Sequence, residues 1–198
     1  MQTIKKVFIA GGTGFLGYHA ALKFLDLGIQ VDTIALENEI EISNWFDSRI
    51  HLSYGNLFTM NESEIYNLLK NKNYDCFIYA LGPDDRYIPK APAYDFFYDR
   101  LVRQCKKICQ AAKRANIQRC VILGSYFATY DKHMNGKLSK YHPYIKARIQ
   151  QEQELIALGK DSLFSVMILE LPYIFGTMPQ RKPLWRESFL KYYDKMKS

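Results

Sequence analysis

The chain has 198 residues, 48% of them hydrophobic, and a formal net charge of +7. That length supports one well-packed core and hardly two, and no run of eighteen apolar residues occurs, which leaves no candidate membrane-spanning helix. The 27 lysines and arginines are spread along the sequence without a nucleic-acid-reading motif, so the excess reads as a solvated surface, or one that suits anionic small molecules, and not as a DNA or RNA site.

The first residues, MQTIKKVFIAGGTG, place two lysines before an apolar patch. The patch is too short for a secretory core and runs straight into glycines, so it reads as a first strand and the chain is expected in the cytoplasm. The apolar pattern then predicts strands at Lys6–Ala10, Val31–Leu36, Arg49–Tyr54, Asp75–Ala80, Arg119–Leu123 and Ser165–Leu169. Between them it predicts helices from Leu16 to Leu27 (ended by Gly28), Glu62 to Lys70, Tyr94 to Ala115 (Asn116 at its end) and Tyr144 to Leu158 (stopped by Gly159). Two long loops are expected, Gly82–Pro92 and Tyr126–Pro143. Near-continuous apolar strands alternating with helices imply an α/β fold, a doubly wound and mainly parallel sheet of Rossmann type with helices on both faces. The four cysteines form no CxxC: Cys76 and Cys120 lie in strand-like runs, and Cys105 and Cys109 are one helical turn apart with no nearby histidine. Buried thiols are expected, with neither a disulfide framework nor a metal site.

FIAGGTGFLGYHAALKFL carries the most information. Gly12, Gly14 and Gly17 fit GxGxxG, and Gly11, Gly14 and Gly17 fit GxxGxxG. The glycines permit a tight turn off the strand, close approach of the backbone to a pyrophosphate, and close packing of the helix on the sheet. The helix start presents N–H groups to the phosphates. The motif follows the first strand and opens a helix, and so predicts a dinucleotide site. Glu37, twenty residues after Gly17, stands where an acid would hold the ribose hydroxyls; alternatively it belongs to a solvated acidic loop with Glu39 and Glu41. Asp32 lies inside the second strand and is the poorer candidate. No arginine follows Leu36, which favours NAD over NADP.

Taken in order, FIAGGTGFLG, YGNLF, DCFIYALG, AAKRANIQRCVILGS, PYIKARIQQE and LELPYIFG resemble the extended short-chain dehydrogenase/reductases, the NAD-dependent epimerase/dehydratase family, over almost the whole chain. The resemblance implies that Gly11, Thr13, Gly14, Phe15, Leu16 and Gly17 hold the cofactor phosphates, with Asn56 and Leu57 beside the adenine. It also implies that Ala80, Leu81 and Gly82 line the cofactor. PYIKARIQQE falls at the family's YxxxK, so Tyr144 is implied as the acid/base, with Arg148 in the place of the lysine and Ser125 as the substrate-orienting hydroxyl (Thr129 in reserve). A free phenol has a pKa of about 10, so this chemistry needs a cation beside it. Arginine retains the charge but replaces a compact ammonium with a planar fork. Arg148 is also one turn before Glu152, and an ordinary helix ion pair is the competing reading. Lys146, two positions from Tyr144, points elsewhere on the helix.

Leu101 and Glu170 depart from the asparagine and arginine of the resembled pattern. Family members usually continue for another hundred residues or more, so residues 1–178 read as the NAD(P)-binding domain and 179–198 as a basic helical tail, the possible start of a truncated substrate lobe. The implied function is an NAD(P)-dependent oxidoreductase or epimerase/dehydratase acting on a hydroxyl or carbonyl substrate such as a nucleotide sugar. The alternatives are a non-catalytic dinucleotide-binding sensor or partner subunit, or an inactive truncated product. A homodimer is expected through the Tyr94–Ala115 and Tyr144–Leu158 helices, with Phe96, Phe97, Leu101, Ile145, Ile149 and Ile156 available for apolar contact.

Overall fold

The computed structural model describes residues 3–36, 44–160 and 163–197. Its strands are β1 (Lys6–Ala10), β2 (Gln30–Ala35), β3 (His51–Tyr54), β4 (Cys76–Tyr79), β5 (Arg119–Ser125) and β6 (Ser165–Leu171). They form one sheet in the order β3-β2-β1-β4-β5-β6, and every pairing is parallel. The helices are α1 (Phe15–Asp26), α2 (Glu62–Leu69), α3 (Ala93–Phe97), α4 (Gln104–Arg114), α5 (Phe127–His133), α6 (Pro143–Leu158) and α7 (Leu184–Lys197). This is the doubly wound Rossmann architecture expected from the alternation of strands and helices.

Alternation along β1 divides the core. Phe8 and Ala10 join Phe77, Tyr79 and Ile122 on one face, against Ile65 and Leu69 of α2, Ile108 of α4 and Leu155 of α6. Val7 and Ile9 join Val31, Cys76 and Ile78 on the other, against Ala21 of α1. Because both faces of the central strands are buried, most residues of β1, β2 and β4 are apolar. Asp32 is the one acid among them. It lies buried in β2, where it accepts a 2.7 Å hydrogen bond from the Tyr74 hydroxyl and pairs with Lys6 at 3.2 Å. Its carboxylate is committed to the core, which accounts for an acid inside an apolar strand.

Two expectations are corrected. The segment Tyr126–Pro143 is not all loop, because it contains α5. Seven residues carry too little periodicity to reveal a helix, and the support for α5 is tertiary: Lys132 lies 3.5 Å from Glu152 and 3.7 Å from Glu170, and the Thr129 N–H donates to Glu170 at 3.0 Å. The buried Asp131 carboxylate then holds the following loop through the N–H groups of Leu138 and Ser139 and the Ser139 hydroxyl. Burial alone would raise the Asp131 pKa, but these hydrogen bonds lower it. The helix expected over Tyr94–Ala115 is also not uniform. It runs as α3, a π-helical turn over Tyr98–Arg103, and α4. The wider turn brings both Leu101 and Val102 inward to full burial.

The four cysteines are free and buried, with the Cys109 sulfur 3.7 Å from that of Cys120. Among the described residues no group of ligands is arranged for a metal ion, and no helix is long and apolar enough to cross a membrane.

The Asp32 cluster generates a stability test. Tyr74→Phe deletes one hydrogen bond to a buried carboxylate, which should cost about 1.5–3 kcal/mol. Urea denaturation of the two proteins would measure it, and an unchanged midpoint would remove the hydroxyl from the account of the core.

Candidate functional site

The strand order reverses between β1 and β4, and ligands in such sheets lie in the crevice at the carboxyl ends of the strands at that point. The turn from β1 to α1 opens there. Gly11 has φ +93° and a Cβ on it would sit 2.7 Å from the Ala80 carbonyl oxygen, so only glycine lets this turn pass so close to β4. Gly17 is buried beneath the turn, where a Cβ would overlap the Gly11 carbonyl oxygen. The turn is closed by the Gly14 N–H donating to that same oxygen at 3.0 Å. No side chain caps α1 and no acid occupies its first turn, so its N–H groups and positive end are left to favour an anion.

Two pockets flank this turn and meet at Leu81. The first, of about 160 Å³, is lined by Gly11, Thr13, Asn56 and Leu57. The Asn56 side-chain oxygen accepts from the Phe58 N–H at 3.0 Å, so its amide N–H groups remain for a ligand. The second pocket, of about 390 Å³, is lined by Gly14, Phe15 and Leu16, by Ala80 and Gly82 after β4, and by Ser125, Tyr144 and Arg148. Thr129 is not among its lining residues. Apart from Gly17, Asp32, Thr129 and Glu37, every named candidate lines one pocket or the other; Glu37 lies outside the described residues. The glycine cradle, the uncapped helix start and a two-lobed crevice suit a dinucleotide.

Arg148 is buried, and its position decides between the two sequence readings. Its Nε donates to the Tyr144 hydroxyl oxygen at 3.0 Å, and its Nη1 donates to the Leu123 carbonyl oxygen at 3.2 Å and to Gln151 Oε1 at 2.8 Å. Glu152 turns instead to Lys132. The arginine fork thus ties the end of β5 to α6 and points a cation at the phenol. Lys146 lies over the Tyr94 ring, 4.4 Å from its centroid, and takes no part. Ser125, at the end of β5, is buried, and its oxygen accepts from the Phe127 N–H at 3.4 Å. Leu101 packs against Gly82, where a Cβ would meet its side chain at 2.8 Å.

Sequence reasoning missed the rim. The Tyr173 hydroxyl donates to Asp85 at 2.9 Å and joins the loop after β4 to the loop after β6. Burial, with the Asp85 carboxylate adding to it, pushes the Tyr173 phenol up to about 12. Tyr126 packs against Tyr173, ring centroids 5.9 Å apart. Gln151, which holds Arg148, is fully buried. Its signal in the sequence was only a polar residue on the apolar side of α6.

Burial, with Glu170 adding to it, pushes the Glu152 carboxyl up against the pull of Lys132. A raised carboxyl binds its proton more tightly in the folded chain. Ionising it therefore costs stability as pH climbs above the ordinary glutamate range. Glu152→Gln removes that cost, so its melting temperature relative to wild type should be higher at about pH 8 than at about pH 4. Equal differences at the two pH values would contradict this electrostatic account.

The sequence matches the model of the family described as NAD dependent epimerase/dehydratase over residues 7–194. No curated protein sequence matches it. Similar solved structures include a reductase from work on attenuating substrate inhibition in asymmetric catalysis, with TM-score 0.71 and 16% identity over 90% of this chain and 61% of that one. The Bordetella bronchiseptica enzyme WbmG in complex with NAD matches with TM-score 0.70 and 12% identity, over 98% of this chain and 60% of that one. MoeE5 in complex with UDP-glucuronic acid and NAD matches with TM-score 0.59 and 16% identity, over 82% and 52%. At these identities the likeness establishes a common fold, and the chain spans between 52% and 61% of the length of those three structures. The family match covers nearly every residue from the first strand to the last helix, and the chain belongs to the NAD-dependent epimerase/dehydratase family.

Proposed function

We propose that the chain is an NAD(P)-dependent oxidoreductase or epimerase/dehydratase-like enzyme that works at a hydroxyl or carbonyl group of a small molecule such as a nucleotide sugar. The observation that carries this reading is the 3.0 Å hydrogen bond from Arg148 Nε to the Tyr144 hydroxyl oxygen, in the wall of a pocket that also contains Ser125 and the start of α1. The Gly11–Gly17 turn would hold the cofactor phosphates, Asn56 and Leu57 the adenine side, and Ala80–Gly82 the other half. When bound, NAD supplies the hydride acceptor or donor.

Tyr144 Oη takes or returns the proton of the substrate oxygen. Arg148 stabilises negative charge at that oxygen as the proton moves. Its Nη2 has no protein acceptor among the described residues and remains for a ligand. Ser125 Oγ is already an acceptor from Phe127, which leaves its own proton to orient the substrate oxygen. The proposed homodimer has less apolar surface to draw on than the sequence implied, because Phe97, Leu101 and Ile145 are buried within the chain. The face around Ile149 and the exposed Ile156 remains for it.

Binding is tested by melting the protein with NAD(H) and NADP(H), since a ligand of the folded state raises stability; no shift with any of the four overturns the reading. On a panel of nucleotide sugars and simple carbonyls, Tyr144→Phe should lower turnover by about 10²–10⁴-fold and leave the cofactor-induced shift intact. Arg148→Lys keeps the charge and should retain turnover better than Arg148→Met. Turnover unchanged in Tyr144→Phe would sink the assignment, and cofactor binding without any turnover would favour the sensor. Light scattering at micromolar concentration should give a dimer mass, and a monomer mass refutes the association.

A further inference from the structure

Two buried polar atoms of α6, close to Arg148 along the helix, have no hydrogen-bond partner among the described residues: Gln151 Nε2 and Glu152 Oε1. Buried polar groups ordinarily find partners, so each calls for a physical reason. Gln151 is fully buried and engages only its oxygen, which accepts from Arg148 Nη1 at 2.8 Å. Arginine has no acceptor, so the amide must present Oε1 to it and leave Nε2 bare. An apolar side chain would fill the same space without an unpaired N–H. The amide oxygen is therefore the part of the side chain that this position uses.

Glu152 presents the opposite case. Its Oε2 lies 3.5 Å from Lys132, while Oε1 is buried and unpaired. It stands four residues after Arg148, the spacing at which a carboxylate and a guanidinium meet on one helix face. The charged groups around it are Lys132 of α5, Glu170 of β6 and Arg148 itself. The Lys132 side chain is mostly exposed, so it is a weak competitor for the carboxylate. A buried guanidinium thus has an unused carboxylate oxygen within one turn and does not take it. What holds it elsewhere is the Leu123 carbonyl oxygen, at a longer 3.2 Å, and the Gln151 oxygen.

We infer that Gln151 is a positioning residue that selects between two partners of Arg148: its oxygen keeps the guanidinium on Tyr144, and Glu152 is the partner the guanidinium takes when that oxygen is lost. The inference rests on the reading of Tyr144 as the acid/base of the reaction. In the first position the cation lies at the phenol, with Nε donating to its oxygen at 3.0 Å. In the second it would be neutralised by a carboxylate one turn further along α6, and the phenol would lose it. A lysine cannot be held in this way, because Gln151 acts on a nitrogen other than the one that meets Tyr144.

The test is a double-mutant cycle on the full chain. Glu152→Gln is made in wild type and in Gln151→Leu, and melting temperatures are read at about pH 8, above the ordinary glutamate range. In wild type the substitution should raise the melting temperature, because it removes a carboxylate ionised against burial. In Gln151→Leu it should lower it, because it removes the new partner of Arg148. A rise in both backgrounds overturns the inference. On the panel of nucleotide sugars and carbonyls, Gln151→Leu should lower kcat by about 10²-fold, the lower end for a lost electrostatic donor, with KM little changed. Adding Glu152→Gln should restore most of that turnover, and Gln151→Glu, which keeps an acceptor oxygen, should retain more of it than Gln151→Leu. A loss that Glu152→Gln does not reverse marks Gln151 as merely structural and overturns the inference. If Gln151→Leu folds poorly by circular dichroism, Gln151→Met gives the same reading. The melting cycle follows the arginine without any turnover, so a failed selection and a failed reaction site are distinguishable.

Discussion

A buried guanidinium needs every partner it can find, and Arg148 organises the centre of this molecule because of it. Its charge lies inside the chain between β5 and α6, where an unpaired cation would cost several kcal/mol. The fork meets that requirement with three acceptors from three different places: a backbone carbonyl at the end of β5, the amide oxygen of fully buried Gln151, and the phenol oxygen of Tyr144. Each bond fixes something else. The first sets the height of α6 against the sheet, the second locks the arginine rotamer, and the third aims Tyr144 into the crevice beside Ser125. A lysine has one nitrogen for the same three acceptors, so the exchange of ammonium for guanidinium is accompanied by a different local construction.

The crevice itself follows from the reversal of strand order. Chain leaving β1 packs α1 on one face of the sheet, and chain leaving β4 packs α3 and α4 on the other, so the carboxyl ends of these two neighbours open apart. Gly11 and Gly17 keep the turn thin enough to sit in that gap. The Asn56 pocket, the Tyr144 pocket and the recess beside Trp185 then lie in sequence around the start of α1, with Phe15 lining the last two. The rim is held by the Tyr173 hydroxyl on Asp85 and by the Trp185 indole of α7 on the Gly176 carbonyl.

Electrostatics divides along the same lines. Lys132 bridges Glu152 and Glu170, and this small cluster draws Glu152 away from Arg148. Without it, the helix spacing alone would favour an Arg148–Glu152 pair. Glu170, a departure from the family pattern, is thereby accounted for: it anchors α5 through Thr129 and Lys132. Leu101, the other departure, fills the space over Gly82 and belongs to the core.

The order of elements, the parallel sheet and the glycine turn were legible in the sequence because they rest on local properties: continuous apolar runs for strands buried on both faces, the helical period between them, and glycines at fixed offsets. The candidate residues around the turn and at Tyr144 were legible for the same reason, through motifs that are contiguous or one turn apart. What tertiary structure alone decided was partnership. Arg148 had two possible partners at the same helical spacing, and only the positions of Leu123, Gln151 and Lys132, drawn from other elements or hidden in the packing of α6, selected Tyr144. The helix α5 was invisible because its support comes from Glu152 and Glu170, far along the chain. The meeting of Phe15, Arg86, Arg181 and Trp185 around one recess brings together residues up to 170 positions apart. No periodicity records such a meeting, and only the folded sheet, by setting where each loop emerges, produces it.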